Sequence, residues 1–299
     1  MKLEDEGSDT SVLDYGINEA EVNVAIREEF GGRLDLSNLP IEVAVKNASS
    51  LPAEEFAKIR RNGFGGSDSS ILLGVNPFKT LQELIVQKAS KELSEEERAV
   101  GELAAVRKGN DLEPLIIQKS SKVLDCKILK PDDMYRFKEF PYLTMNFDGV
   151  AQLPKGHKYA KYTNHHGYMP DEIKVATIKG QRHYNPALAI YSELRLYNGI
   201  DSEQPELLPL NEEQLKTWPI EKKAEYYGIP QYYYTQIQQE MMALDAEAGF
   251  VSALFEVDWH LHIWLIHKDS VVWNALKIQG FKADVEVTKL KERQDRAGI

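Results

Sequence analysis

Residues 145–153 read MNFDGVAQL and residues 171–177 read DEIKVAT, two stretches in which apolar and polar side chains alternate as in half-buried β-strands. Asp148 lies at the end of one strand. In the other, Glu172 and Lys174 share a face while Ile173 turns into the core. Adjacent strands that bring carboxylates to one edge form a site for a hard divalent cation, and oxygen donors suit Mg²⁺ or Mn²⁺. A plainer reading stays open. Asp148-Gly149 is a common turn pair, and Glu172 with Lys174 makes an ordinary solvated cross-strand pair.

Working outward, the helical signals precede and follow these strands. PAEEFAKIRRNG, residues 52–63, predicts a short helix closed by Gly63 in the left-handed conformation. GSDSSILLG offers Ser67 or Asp68 as an N-cap. TLQELIVQKAS, capped by Thr80, places Leu81, Leu84, Ile85 and Lys88 on one face. Residues 94–124 predict a long helical stretch interrupted at Gly109-Asn110, and residues 125–153 two or three antiparallel strands. PALAIYSELRLYNG reads as a helix ending at Gly199, and PQYYYTQIQQEMMALDAE as a helix with proline in its first turn. FEVDWHLHIWLIHKD gives one or two late strands, and the stretch from Ser270 a closing helix. The fold class is therefore mixed α/β (α+β), with a central mixed β-sheet flanked by helices. Residues 1–50 read as an acidic, partly flexible appendage, and 51–299 as the main domain.

Composition narrows the function. The chain has 299 residues, 42% of them hydrophobic, and one cysteine, Cys126, which excludes an internal disulfide framework and cysteine-rich metal sites. The run LHIWLI is far shorter than the ~20 residues of a spanning helix, and the N-terminus lacks the apolar core of a secretory signal. The expectation is a cytoplasmic protein with no membrane partner. The net charge of −11 is uneven: residues 1–50 hold 11 acidic and 4 basic side chains, net −7, leaving −4 for the other 249. That argues against non-specific coating of nucleic acid, but not against a local basic track beside an acidic metal site.

Further residues complete a pattern. Glu113, in GNDLEP, is a third acid upstream of the strands; Arg60 precedes Ser67 by seven residues; Tyr233, Gln236 and Gln239 follow along one helical face. In this order the sequence resembles the phage lambda-type alkaline exonucleases, a YqaJ-like viral recombinase family of the PD-(D/E)XK nuclease superfamily, over roughly residues 55–275. The resemblance implies a restriction-endonuclease-like core and an Mg²⁺- or Mn²⁺-dependent exonuclease. Its substrate is linear double-stranded DNA, degraded 5′ to 3′ from a phosphorylated end. It assigns Glu113, Asp148 and Glu172, with the Ile173 carbonyl, to metal, and Lys174 to catalysis. Arg60 and Ser67 go to the 5′-phosphate, and Tyr233 and Gln236 to the site beside it, with Gln239 one turn on. It also implies a phage or prophage gene in a bacterial host, a single-strand annealing protein as partner and a homo-trimer. Two alternatives remain: an endonuclease on the same core, and a non-catalytic DNA-binding or inhibitor subunit with a vestigial site.

The sequence departs from the family in the 24-residue separation of Asp148 and Glu172, where a short hairpin is usual. The inserted GHKYAKYTNHHGYMP, rich in lysine, histidine and tyrosine, reads either as a DNA-gripping loop or as an ordinary hairpin. Asn146 stands where the family has a serine or similar small residue. GFGG, residues 63–66, lacks the rest of either nucleotide-loop motif. His260 and His262 read as core-edge residues rather than metal ligands.

Overall fold

The computed structural model describes residues 31–95, 97 and 104–297. The most acidic part of the expected appendage, residues 1–30, lies outside them. The remainder of that segment is no appendage. Strand β1 (Ile41–Val45) pairs antiparallel with β3 (Met134–Phe137), which pairs with β4 (Thr144–Met145), forming a three-stranded sheet. Leu34, Leu39, Ile41 and Ala48 are buried with it, so residue 50 marks no break in the described chain.

The main sheet has six strands in the order β2 (Lys127–Leu129), β5 (Gly149–Gln152), β6 (Tyr168–Ala176), β8 (Ala248–Phe255), β9 (Leu261–His267) and β7 (Tyr191–Ser192). Only β6 and β8 run parallel; every other neighbouring pair is antiparallel, so the sheet is mixed. Strands β8 and β9 are buried along their whole length, as their near-continuous apolar sequences AGFVSALF and LHIWLIH require of strands covered on both faces. Helices α4 (Ala104–Leu124) and α8 (Gln231–Leu244) both pack on β6 and β8. Gly249 lets α8 approach: a Cβ there would stand 2.9 Å from Ile237 Cγ1.

Around this core lie α1 (Ala53–Arg60), the one-turn α2 (Ser69–Leu72), α3 (Leu81–Ala89), α5 (Glu193–Tyr197), α6 (Glu212–Thr217), α7 (Ile220–Tyr227) and the long C-terminal α9 (Ser270–Ala297). Thr80 caps α3 as expected, accepting from the Glu83 amide while Glu83 reaches back to the Thr80 backbone. Among the described residues no helix is long and apolar enough to cross a membrane.

The structure differs from the sequence reading in four places. Helix α4 continues through Gly109, Asn110 and Pro114, because buried Ile116, Ile117 and Ser120 fix it to the sheet and outweigh local propensity. Pro114 removes one helical bond, leaving the Asn110 carbonyl without its usual donor. Gly63 is no left-handed cap; α1 ends at Arg60, and Gly63 is small because a Cβ would come within 2.5 Å of Thr144 Cγ2. Residues 125–153 form four strands, divided between the two sheets. The helix expected over 186–199 shrinks to α5, capped by Ser192, because Tyr191 and Ser192 extend the sheet edge along β9.

Candidate active site

The β5–β6 register builds the site. Gly149 lies opposite Asp171 in this antiparallel pair, so Asp148, one residue earlier, falls opposite Glu172. Lys174, two residues beyond on the same face, extends its ammonium between the two acids. It lies 2.6 Å from Asp148 Oδ2 and is ion-paired with Glu172. Asp148 is 31% exposed on its side chain and Glu172 not at all. Besides the lysine, the buried Glu240 carboxyl is the neighbour that bonds Glu172. Burial, and then the Asp148 charge, push the Glu172 carboxyl up to about 7. Burial alone would lower Lys174, but the two carboxylates more than offset it and hold the ammonium protonated well above the usual lysine range.

Asp148 and Lys174 line one open cleft of about 670 Å³, together with Glu113, Asn110, Ile173, His183 and Tyr233, while Glu172 is buried beside Lys174. Glu113 is held 2.6 Å from Lys130, and its carboxyl is raised chiefly by burial. The Tyr233 ring lies with its centroid 5.4 Å from Lys174 Nζ. Three of the four expected catalytic residues, Glu113, Asp148 and Lys174, therefore line one cleft, and the fourth, Glu172, is ion-paired to Lys174 from within the protein. Among the described residues, however, no three His, Cys, Asp or Glu side chains gather into a ready-made metal cage. The donor set still fits a hard cation: two facing carboxylates with an ammonium already standing between them as a stand-in positive charge. Mg²⁺ commonly takes only one or two protein carboxylates, completing its shell with water and substrate phosphate.

The residues expected to hold phosphate are also in contact with one another. Arg60 Nη2 donates to Ser67 Oγ at 2.7 Å. Gln236 packs beside this loop, where a Cβ on Gly66 would stand 3.2 Å from Gln236 Cγ. Gln239 does not reach the surface. It is fully buried, and its Nε2 donates to the carbonyls of Phe64 at 3.2 Å and Thr144 at 3.0 Å. The inserted loop does not line the cleft. It joins the ends of β5 and β6 remote from Asp148, with Lys158 and Lys161 paired to Glu203 and Glu206, and His157 bonded to the Leu124 carbonyl.

One acid escapes the sequence reading. Glu240, fully buried on α8, accepts weakly from Gln236 Nε2 at 3.4 Å; burial and then the neighbouring Glu172 hold its carboxyl well above the usual range. Its place four residues after Gln236, on the same helical face, is the signal that points to it. His262, by contrast, is buried without a polar partner, and burial pushes it down to about 4, as befits a core residue.

A model of the YqaJ-like viral recombinase domain matches residues 55–247, nearly two-thirds of the chain and all of this cleft. The chain belongs to that family. Among its relatives, the uncharacterized protein YqaJ of Bacillus subtilis (strain 168) is 28% identical over 146 residues; the match covers 48% of this chain and 44% of that protein. Two solved structures are similar in fold. LHK-Exo in complex with dAMP is 12% identical, with a TM-score of 0.47 over 82% of this chain and 98% of the other. The alkaline exonuclease LHK-Exo from Laribacter hongkongensis is 13% identical, with a TM-score of 0.46 over 82% and 99%. The family match bears out the family expected from the sequence, and the six-stranded sheet with its parallel β6–β8 pair bears out the mixed fold.

Proposed function

We propose that this chain is a divalent-metal-dependent exonuclease that hydrolyses phosphodiester bonds of linear double-stranded DNA from a 5′-phosphorylated end. The observation that carries this reading is the register placing Asp148 opposite Glu172 with Lys174 between them. Family membership supports it, since the matched domain is a viral recombinase domain.

Asp148, Glu172 and the Ile173 carbonyl would hold Mg²⁺ or Mn²⁺, with Glu113 beside them. Once bound, the ion neutralises phosphate charge and makes a coordinated water more acidic. The protein's own groups do the rest. Lys174, kept cationic by its two acidic neighbours, donates to a phosphoryl oxygen or to the attacking water and so fixes the line of attack. Tyr233 closes the wall above Lys174. The Arg60 guanidinium and Ser67 hydroxyl, 2.7 Å apart, present a fork and a donor to the terminal phosphate. Gln236 lies between this loop and the buried acids of the cleft. In a recombination setting, the strand left uncut passes to a single-strand annealing protein.

A degradation assay with Mg²⁺ on linear duplex and covalently closed circular duplex tests the reading. Loss of the linear substrate alone, stopped by chelator, is the expected result. Cutting of the circle makes the protein an endonuclease. No attack on either substrate by folded, Mg²⁺-saturated protein assigns the cleft to binding alone.

A further inference from the structure

The loop that presents Ser67 is anchored by a lysine with no place in the chemistry above. Lys88, on the last turn of α3, is only 5% exposed. Its Nζ donates to the carbonyls of Arg60 at 2.7 Å and Gly63 at 2.6 Å, and pairs with the Asp68 carboxylate at 2.8 Å. All three ammonium protons are thereby used. Asp68 in turn accepts from the Gly65 amide at 3.0 Å. One buried cation thus ties together residues 60, 63 and 68, the two ends and the middle of the segment carrying Arg60 and Ser67.

The loop is pinned from another direction as well. The Phe64 amide donates to the Tyr142 carbonyl at 2.7 Å, and the Thr144 amide to the Phe64 carbonyl at 2.9 Å. Gln239 bonds both Phe64 and Thr144 carbonyls. These contacts fix Phe64, but none of them touches Arg60 or Asp68. Lys88 bonds the Arg60 carbonyl, at the root of the Arg60 side chain. Burying an ammonium is costly unless its hydrogen bonds are complete, and a methionine would fill the same space without that cost. The geometry therefore favours a role in setting backbone position over one in filling the core.

We propose that Lys88 is the positioning residue of an Arg60–Ser67 anion clamp, holding its two halves at the spacing that recognises a terminal DNA phosphate. The proposal rests on the reading of Arg60 and Ser67 given under Proposed function. Lys88 itself, enclosed by protein acceptors, does not touch the DNA.

The test is equilibrium binding of the full chain to duplexes carrying a 5′-phosphate or a 5′-hydroxyl, followed by fluorescence anisotropy with Ca²⁺ replacing Mg²⁺. Wild type is expected to prefer the phosphate end by about tenfold or more, the scale of a hydrogen bond to a charged group. In Lys88→Met the preference falls to within about twofold, with the hydroxyl end as internal reference; in hydrolysis the defect falls on KM more than on kcat. A lysine that merely stabilises the fold leaves this ratio unchanged in the folded variant, and that result overturns the proposal while leaving the clamp intact. Absence of any preference in wild type instead removes the clamp itself, and the proposal with it. Should Lys88→Met fail to fold, Asp68→Asn decides. It keeps the volume and removes the counter-charge, and wild-type preference in that folded variant overturns the proposal.

Discussion

Replacing Asp171 with asparagine makes the protein more stable at alkaline pH and leaves its stability in acid nearly unchanged relative to wild type. Asp171 is adjacent to Glu172 but points to the opposite face of β6. It is fully buried, with the Ser252 hydroxyl as its polar neighbour. Burial, only partly eased by the Ser252 hydroxyl, pushes its carboxyl from 3.8 up to about 7. A raised folded-state value means that the folded chain holds the proton longer than the unfolded chain. The stability it contributes is full below pH 3.8 and is lost as pH rises through about 7. About three pKa units at ~1.4 kcal/mol each give a loss on the order of 4 kcal/mol above pH 7, half of it reached near pH 5.5. Asparagine cannot ionise, so the stability difference between variant and wild type grows by that amount from pH 4 to pH 8. Any fixed cost of seating the amide cancels in this comparison. Urea unfolding of both proteins across this range, analysed by linear extrapolation, measures it. A difference that is flat with pH, or that shrinks toward pH 8, refutes the reasoning.

The buried histidines act in the opposite sense. His262 is depressed from 6.5 to about 4 mainly by burial, so its stabilising contribution is present above pH 6.5 and is lost as pH falls through about 4. His262→Phe should therefore gain about 3 kcal/mol on wild type between pH 7 and pH 4, read from the same unfolding curves. Gly228→Ala should cost about 1–3 kcal/mol, because φ is +78° there and a Cβ would stand 3.0 Å from the Asn185 carbonyl oxygen; thermal melting reads the loss. Asp148→Asn should lower DNA hydrolysis on the order of a thousandfold, and Glu113→Gln only about tenfold, since Glu113 already has Lys130 as its partner. Equal losses in steady-state rates would place Glu113 among the direct metal ligands.

The sequence displayed the acidic strand edge because alternation in a strand is a local property. Alternation puts Glu172 and Lys174 on one face and leaves Asp148 at the end of a neighbouring strand, and the register brings the three together. The seven-residue separation of Arg60 and Ser67 likewise survives as a direct contact. What stayed hidden depends on tertiary partners. Lys88 looked like one more member of an amphipathic face, and only the packing of α3 beneath the loop shows its three acceptors. Glu240 and Gln239 are consecutive on α8, yet one adjoins Glu172 and the other props up Phe64. The composition of the inserted loop left two readings open; in the fold Lys158 and Lys161 pair with Glu203 and Glu206. β1 gave too short a signal to be joined to the sheet from sequence alone, because its partner lies about ninety residues away.

The central claim is that Lys174, between Asp148 and Glu172, completes a hydrolytic site. Its most direct test is the rate at which Lys174→Ala releases labelled nucleotide from a 5′-phosphorylated linear duplex at saturating Mg²⁺, with Mn²⁺ binding to the same protein followed by calorimetry. The account predicts a loss on the order of a thousandfold or more in a folded variant that still binds the metal. Hydrolysis within tenfold of wild type would contradict it and move the chemistry away from this cleft.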